Sequence, residues 1–458
     1  MKHAAPTTVT HLLGVPGHGP FVAVDERGVI TTTAGRLGWS IGAEDRWHHA
    51  AAEAAVRQVV EAGGAIVETR MRIPGGDAIQ RMWTTVDAGR PVLVIEFENA
   101  SPVPVALAVT GGDVPFVARR EPSSVTVADV DGAPPDATMW PLPHRTRLRV
   151  VVAGPSGGVT AEQVDGLADA SSVASGWATH LDALARVHIA GGPEIDGWAD
   201  AVRVLVLAAD GPFDGVAPLR TGTDVGTVAV ALATVGLGAQ AMALLDGVLH
   251  RQRRNGGFPL VDGPGDRATI AWAAARVALI ADDPGDWFDD HAEVVARAVD
   301  RAGGSEPHGA VAATVALAAL RRRGMHEAAD HLDRRVGGRG GEAEARHEPT
   351  GHPVGAAAEV VLSTVARLVR DEPGSIEVVP DAALGAVGVA VEVHDLRTTS
   401  GLLSFGTRWH GERPALLWDL EASGPTELTC GLAAGWRSEE TRGETLLSTA
   451  AVAGDRSE

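Results

Sequence analysis

Two kinds of alanine-rich segment alternate between residues 160 and 371, and this alternation constrains the fold more than any other feature. Four segments are almost wholly apolar, namely Val225–Val235, Ala268–Ile280, Ala310–Leu320 and Val354–Leu368. Three charged, amphipathic segments lie between them, namely Ala239–Arg253, Trp287–Arg301 and Met325–Val336. A helix that is apolar all round is buried, whereas one that is charged on one side faces solvent there. The sequence therefore predicts that buried and exposed helices alternate, as in an α/α toroid or an α-solenoid.

The spacing and the turns agree with paired helices. The apolar segments recur at roughly 40 to 47 residues, which is the range of helix-pair repeats. Gly236 and Gly238 separate one pair, and Asn255-Gly256-Gly257 follows an outer helix with residues that tolerate a left-handed cap. Asp224 and Asp266 are predicted to be the N-caps of the next two inner helices.

Residues 12 to 155 have the pattern of antiparallel strands. Short apolar runs such as Ala65–Ile73, Ala78–Val86 and Pro91–Glu98 end at turn residues. In the last run, Leu93, Ile95 and Phe97 alternate with Val92, Val94, Glu96 and Glu98, a pattern in which one face is buried and the other is wet. Several such runs in series predict a β-sandwich. His48–Glu61 fits either a helix or, from Val56 onward, one arm of a hairpin.

The C-terminal part returns to strand patterns, in the runs Val387–Val393, Leu402–Trp409 and Ala415–Leu420. We therefore expect a multidomain α and β protein with three domains. These are an N-terminal antiparallel β-sandwich in residues 1–159, a helical α/α-toroid-like domain in 160–372, and a small C-terminal β-domain in 373–458.

Composition excludes several classes of partner. The chain has 458 residues, of which 45% are hydrophobic, and its net charge is −20. This charge repels nucleic acid and anionic membrane surfaces but is compatible with a carbohydrate or another neutral small molecule. A single cysteine excludes an intrachain disulfide framework, and the sequence begins without the apolar stretch of a signal peptide. We expect a cytoplasmic protein.

The segment Gln252-Arg253-Arg254-Asn255-Gly256-Gly257-Phe258-Pro259 is similar to a passage that closes an outer helix in glucoamylase-like toroids. Three further stretches, Ile73–Ile79, Glu96–Pro102 and Leu403–Trp418, resemble an actinobacterial family with the same β-sandwich, toroid and β-domain layout. The chain thus resembles the six-hairpin glycosidase superfamily, which implies a site for glycosidic bonds. A complete toroid of six hairpins needs twelve helices, and only about nine helical segments are predicted here, so we expect an incomplete ring.

The resemblance implies that the loops leading into the inner helices gather at one mouth, where helix N-termini donate hydrogen bonds to ligand oxygens. Inverting hydrolysis needs a protonated carboxylic acid and a carboxylate roughly 6.5 to 9.5 Å apart. From these loops, Glu306 is the candidate acid and Asp214 the candidate base. Asp262 and Arg220 are candidates for binding hydroxyl groups, and Trp287 and Phe258 are candidates for stacking on sugar rings.

Alternatives remain open at the level of the sequence. Asp224 and Asp266 fit plain helix caps, and other acidic loop residues fit solvated turns. The protein is either a glycoside hydrolase or a non-catalytic protein, such as a carbohydrate-binding pseudoenzyme or a scaffold. No cofactor is predicted, and His48–His49 and the pair His347 and His352 lack the spacing of a metal site. The sequence gives neither the sugar nor the oligomeric state.

Overall fold

The computed structural model describes residues 10–121, 132–154, 160–190, 196–211, 216–260, 264–302, 307–336 and 352–448. It combines α-helices with several largely antiparallel sheets. The chain divides into two compact units, Met1–His180 with Val206–Pro218, and Leu181–Leu205 with Leu219–Glu458. None of the helices in the described ranges is long and apolar enough to cross a membrane.

The first unit contains two antiparallel sheets. Their strands are β1 Thr10–Val15, β2 Gly19–Asp25, β3 Ile30–Thr31, β4 Arg36–Gly42, β5 Trp47–His49, β6 Val56–Glu61, β7 Ile66–Ile73, β8 Gly76–Asp87, β9 Arg90–Asn99, β10 Val105–Thr110, β11 Phe116–Ala118, β12 Thr138–Leu142 and β13 Arg147–Ala153. One sheet has the order β1-β2-β3-β4-β10-β12, with β5 beside β4, and the other has the order β11-β13-β9-β8-β7-β6. The stretch that begins at Val56 is therefore a hairpin arm, because β6 pairs antiparallel with β7.

A single hydrophobic core joins the inner faces of these two sheets. Trp39 and Leu107 of the first sheet and Met82 and Phe97 of the second belong to one buried cluster. The rings of Trp39 and Phe97 lie 5.8 Å apart and are tilted by 50°. Side chains from two antiparallel sheets therefore fill one common core.

The second face of β9 departs from the predicted pattern. Leu93, Ile95 and Phe97 point into the core between the sheets, as the alternation predicts. Val92 and Val94 are also buried, in a smaller cluster that includes Trp83. The prediction that this face is wet was therefore wrong for the two valines, because side chains after β13 cover them, and also for Glu96, which is 7% exposed.

Nine α-helices occur in the described residues, in agreement with the number of predicted segments. They are α1 Ala170–Asp182, α2 Asp196–Ala209, α3 Gly222–Thr234, α4 Gly238–Leu249, α5 Pro264–Ile280, α6 Trp287–Ala302, α7 Pro307–Arg322, α8 His326–Val336 and α9 Pro353–Leu368. The apolar segments form α3, α5, α7 and α9, which we call the inner helices, and α3 is buried along almost all of its length. The charged segments form α4, α6 and α8, which keep one exposed side.

The inner helices α3 and α5 run parallel and pack closely. A Cβ placed on Gly226, near the start of α3, would lie 2.9 Å from Thr269 Cγ2, near the start of α5. A Cβ placed on Gly238, the first residue of α4 and four residues after the end of α3, would lie 3.0 Å from the Cβ of Ala281, just after α5. Contacts at both ends of the pair fix the relative direction of the two helices.

The C-terminal ends of α5, α7 and α9 are held together by polar contacts. Arg276 Nη2 of α5 donates to Asp371 Oδ2, three residues after α9, at 2.6 Å. Arg322 of α7 donates to the carbonyl oxygens of Leu279 and Thr399, and the Thr399 amide donates to Asp371 Oδ2 at 2.8 Å. The opposite, N-terminal ends of the inner helices therefore all point to the other end of the helical array.

The second unit also contains two small sheets. Their strands are β14 Arg186–Ile189, β15 Val369–Glu372, β16 Ser375–Val378, β17 Val391–Thr398, β18 Gly401–His410, β19 Arg413–Ala422, β20 Glu427–Cys430, β21 Arg437–Ser438 and β22 Arg442–Leu446. The antiparallel sheet has the order β14-β17-β18-β19-β22, and the mixed sheet has the order β15-β16-β20-β21. Residues 387–390 of the predicted strand Val387–Val393 lie before β17.

Candidate ligand-binding site at the helix N-termini

The N-terminal ends of the inner helices form the candidate site, because backbone donors collect there. The first turns of an α-helix carry N–H groups with no partner inside the helix, and the helix dipole makes this end positive. α5, α7 and α9 begin at Pro264, Pro307 and Pro353. Proline is favoured at this position because its fixed φ suits the first turn and its missing N–H leaves no donor unsatisfied. Parallel inner helices thus direct several donors toward one end of the array.

The first turn of α3 is closed by a reciprocal pair of side chains. Thr221 is the N-cap, with extended φ and ψ of −110° and 154°, and its Oγ1 accepts from the Asp224 amide at 3.0 Å. The same hydroxyl donates to Asp224 Oδ2 at 2.7 Å. The prediction that Asp224 is itself the N-cap was wrong, because Thr221 leaves the helical conformation and Asp224 is the third residue of α3. Asp266 is likewise the third residue of α5, so the prediction that it is the N-cap of this helix was also wrong.

Asp224 combines burial with an unused hydrogen-bond acceptor. Its relative exposure is 3%, yet among the described residues Oδ1 has no hydrogen-bond partner. Thr227, one turn further along α3, is equally buried, and its Oγ1 is also without a partner in the described part of the chain. Leaving a buried polar group unpaired costs about 1–3 kcal/mol, and more for a charged group. Asp224 Oδ1 therefore marks a place where a donor is missing.

Arg267 adds a positive charge to this end of the array. It is the fourth residue of α5, it is half-buried, and its Nε has no hydrogen-bond partner within the described residues. A Cβ placed on Gly257 would lie 3.6 Å from this nitrogen, so the guanidinium lies beside the chain just before α5. The site region thus offers both an acceptor, Asp224, and a cationic donor, Arg267.

Three of the predicted site residues, Glu306, Asp214 and Asp262, lie outside the described residues. Arg220 is exposed and stands two residues before α3. Phe258 is 1% exposed, so its ring faces are covered. The structure thus leaves Arg220 at the N-terminal end of α3 and buries Phe258 inside the second unit.

Trp287 lies at the opposite end of α5 from the candidate site. It is the first residue of α6 and follows the end of α5 by seven residues. α5 has 17 residues, which corresponds to about 25 Å between its ends. The indole Nε1 donates to Asp246 Oδ1 at 2.7 Å, and the ring lies beside that of His291. The structure therefore does not bring Trp287 together with Arg220.

A second polar cluster surrounds Trp287. Asp246, His250 and His291 place one ligand atom each within 4.8 Å of one another. The sequence pattern did not indicate this set, because Asp246 and His250 lie near the end of α4 whereas His291 lies on α6. The i, i+4 spacing of Asp246 and His250 is the only part of the cluster that the sequence displays.

Comparison with known proteins gives structural likenesses at low similarity. No family model matches the sequence. A search of curated proteins also finds no match. A bacterial glucoamylase complexed with acarbose is similar at 10% identity and a TM-score of 0.41, and the match covers 81% of this chain and 70% of the glucoamylase. A Streptomyces avermitilis α-L-rhamnosidase complexed with L-rhamnose matches 86% of this chain at 9% identity and a TM-score of 0.31, and this chain spans 53% of its length.

A polysaccharide lyase is similar at 10% identity and a TM-score of 0.24, and the match covers 78% of this chain and 81% of the lyase. A glucoamylase is thus among the matches, in agreement with the resemblance found from the sequence. The TM-scores are too low for these likenesses to indicate an activity.

Proposed function

We propose that this is a carbohydrate-active protein that binds a neutral oligosaccharide at the N-terminal end of α3, α5, α7 and α9. The observation that carries the proposal is the buried carboxylate of Asp224, with Oδ2 held by Thr221 and Oδ1 without a partner among the described residues. A sugar hydroxyl supplies the missing donor. Because Thr221 fixes the other oxygen, the acceptor is already oriented before a ligand arrives.

The chemistry of the surrounding groups suits a polyhydroxylated ligand. A hydroxyl group donates one hydrogen bond and accepts others, so it pairs with a carboxylate and with helix N–H groups at the same time. Arg267 adds further N–H donors at the same end of the array. The net charge of −20 disfavours a strongly anionic ligand at long range. A neutral sugar therefore fits the donors, the acceptor and the overall charge.

The proposed reaction is inverting hydrolysis by an α/α-toroid-like domain that follows one β-domain and precedes another in the sequence. Glu306 donates its proton to the oxygen of the leaving sugar as the glycosidic bond breaks. Asp214 takes a proton from water as the water oxygen bonds to the anomeric carbon. Asp262 and Arg220 hold hydroxyl groups. These roles come from the position of the four residues in the loops before the inner helices.

The experiment that tests binding is a calorimetric titration of the purified protein with α- and β-linked gluco-oligosaccharides. The test variant is Asp224→Ala, and the matched control is Asp290→Ala, which removes an exposed carboxylate from α6. A hydrogen bond to a charged group contributes about 1.5–3 kcal/mol, so Asp224→Ala weakens binding by about 10- to 150-fold. Circular dichroism checks that both variants are folded. Failure of the whole panel to bind would overturn the proposed function.

Anomer-resolved proton NMR on the same panel tests hydrolysis separately. We expect release of a single anomer with a configuration opposite to that of the cleaved linkage, and loss of turnover with retained binding in Glu306→Gln. Unchanged turnover in this variant would refute the assignment of Glu306. Binding without turnover in the unmodified protein would identify a sugar-binding protein rather than a hydrolase.

A further inference from the structure

Three side chains from two neighbouring helices point their donor atoms at one another. Asp246 belongs to α4, and His250 is the residue that caps the C-terminus of α4. His291 lies one turn into α6. Asp246 Oδ1 is 3.4 Å from His291 Nε2 and 4.0 Å from His250 Nε2, and all three atoms lie within 4.8 Å of one another.

The protonation of His291 is set by its other ring nitrogen. Nδ1 lies 2.7 Å from the carbonyl oxygen of Trp287, which can only accept, so Nδ1 carries a proton. In the neutral ring, Nε2 then holds a lone pair. This nitrogen belongs to a side chain that is 5% exposed and has no hydrogen-bond partner within the described residues. This lone pair and the Asp246 carboxylate oxygen are two acceptors that face each other, and a cation between them would satisfy both.

The spacing of the donors fits a tetrahedral ion. Donors about 2.0–2.1 Å from a tetrahedral zinc lie about 3.3–3.4 Å from one another. The observed 3.4 Å between Asp246 and His291 already has this value. His250 Nε2, which is 4.0 Å from Asp246 Oδ1, needs to come closer, and its side chain, which is 70% exposed, is free to turn.

The groups behind the donors are arranged as in metal sites. Histidine ligands commonly donate their second N–H to a carbonyl oxygen, and ligating carboxylates are themselves hydrogen-bonded. Here the Trp287 carbonyl orients His291, and Trp287 Nε1 donates to Asp246 Oδ1 at 2.7 Å. One residue therefore positions two of the three donors, and the exposed side of His250 leaves a fourth position open to water.

We propose that Asp246, His250 and His291 bind one divalent transition-metal ion, with zinc as the best fit, and that the ion clamps α4 to α6. Two imidazole nitrogens and one carboxylate oxygen are ligands that zinc accepts, with water completing the tetrahedron. This site is separate from the candidate sugar site and does not depend on the proposed function. The competing occupant of the gap between His291 Nε2 and Asp246 Oδ1 is a proton, which would make these two residues an ion pair.

The experiment is a calorimetric titration of the full, tag-free chain with Zn²⁺, after treatment with a chelator. We expect one ion per chain and a rise in the midpoint of thermal unfolding. His250→Ala removes an exposed ligand and leaves the fold intact, and we expect it to weaken binding at least 10-fold. His331→Ala removes an exposed histidine from α8 and is the matched control, with unchanged affinity.

Trp287→Phe tests the positioning role, since it removes the N–H donor to Asp246 while keeping an aromatic ring. Loss of such a supporting contact costs 10- to 100-fold in metal affinity. Co²⁺ substituted for zinc reports the geometry, with intense visible absorption expected for a tetrahedral site. If His250→Ala binds Zn²⁺ as tightly as His331→Ala does, or if the unmodified chain binds none, the gap holds a proton and the proposal is wrong.

Discussion

The network around Asp371 provides the sharpest test of how the inner helices are aligned. Its carboxylate, which is 6% exposed, accepts from Arg276 Nη2 at 2.6 Å and from the amide and hydroxyl of Thr399 at 2.8 and 2.6 Å. Asp371→Ala removes the acceptor for all three donors. Breaking a buried charge pair costs about 3–5 kcal/mol, and three hydrogen bonds that share one carboxylate do not add beyond this range. We therefore expect the free energy of unfolding of the second unit to fall by about 3–5 kcal/mol.

Two further variants calibrate this loss. Thr399→Val removes the hydroxyl donor but keeps the amide, and its expected loss is about 1.5–3 kcal/mol. Glu293→Ala breaks an exposed i, i+4 pair with Arg297, which is worth about 0.5 kcal/mol or less. Urea unfolding is followed by far-ultraviolet circular dichroism, with separate transitions fitted for the two compact units. If Asp371→Ala shifts the helical transition no further than Glu293→Ala does, the contacts at this end do not fix the helices.

Three other predictions concern packing, pH and reactivity. An added Cβ at Gly226 would lie 2.9 Å from Thr269 Cγ2, whereas one at Gly176 on α1 would meet nothing within 4 Å. In denaturant unfolding, Gly226→Ala should therefore be less stable than Gly176→Ala by about 1–3 kcal/mol, which is the cost of overpacking. Equal stability of these two variants would contradict the close approach of α3 and α5. The hydrogen bonds from Arg323 hold the pKa of Asp289 below its ordinary value of 3.8, so this pair stabilises the fold above that pH and its contribution disappears as the pH falls through the lowered pKa. Asp289→Asn should therefore be less stable than the unmodified chain at pH 7 but equally stable in strong acid, and a stability difference that grows on acidification would reverse the sign of the argument. Burial raises the pKa of the Cys430 thiol to about 11, so a disulfide reagent at pH 8 should label no thiol in the folded chain and one in denaturant, and rapid labelling of the folded protein would show that the thiol is accessible.

The order of apolar and charged segments was enough to predict α3 to α9. A segment such as Ala268–Ile280 has no polar side from which water could solvate it, so it forms a buried helix in almost any arrangement of its neighbours. The alternation with charged segments then predicts the inner and outer positions. The direction of the helices could not be read in this way, because it depends on contacts such as Arg276 with Asp371, which are 95 residues apart.

The face of β9 shows where local pattern fails. Valine on alternate positions fits an exposed strand face as well as a buried one, and the segments after β13 that cover Val92 and Val94 are distant in sequence. Likewise, the choice between Thr221 and Asp224 as helix cap depends on which residue leaves the helical conformation, and the pattern Thr-x-x-Asp fits either choice. Such details are set by tertiary structure rather than by spacing.

The candidate sites differ in how far the sequence could predict them. The loops before α5, α7 and α9 were identifiable, because each follows an amphipathic helix and precedes an apolar one. The assignments of Glu306, Asp214 and Asp262 remain predictions. The cluster of Asp246, His250 and His291 was missed, because α4 and α6 come together only in the folded chain and His291 is 41 residues from His250 in the sequence.

Hydrogen exchange measured by mass spectrometry, with and without a saturating oligosaccharide from the binding panel, tests the central claim most directly. The account predicts slower exchange in the first turns of α3, α5, α7 and α9, where backbone N–H groups meet the sugar, and no change around Asp371 and Thr399 at the opposite end. Protection confined to the opposite end, or to either β-rich part of the chain, would contradict the proposed site.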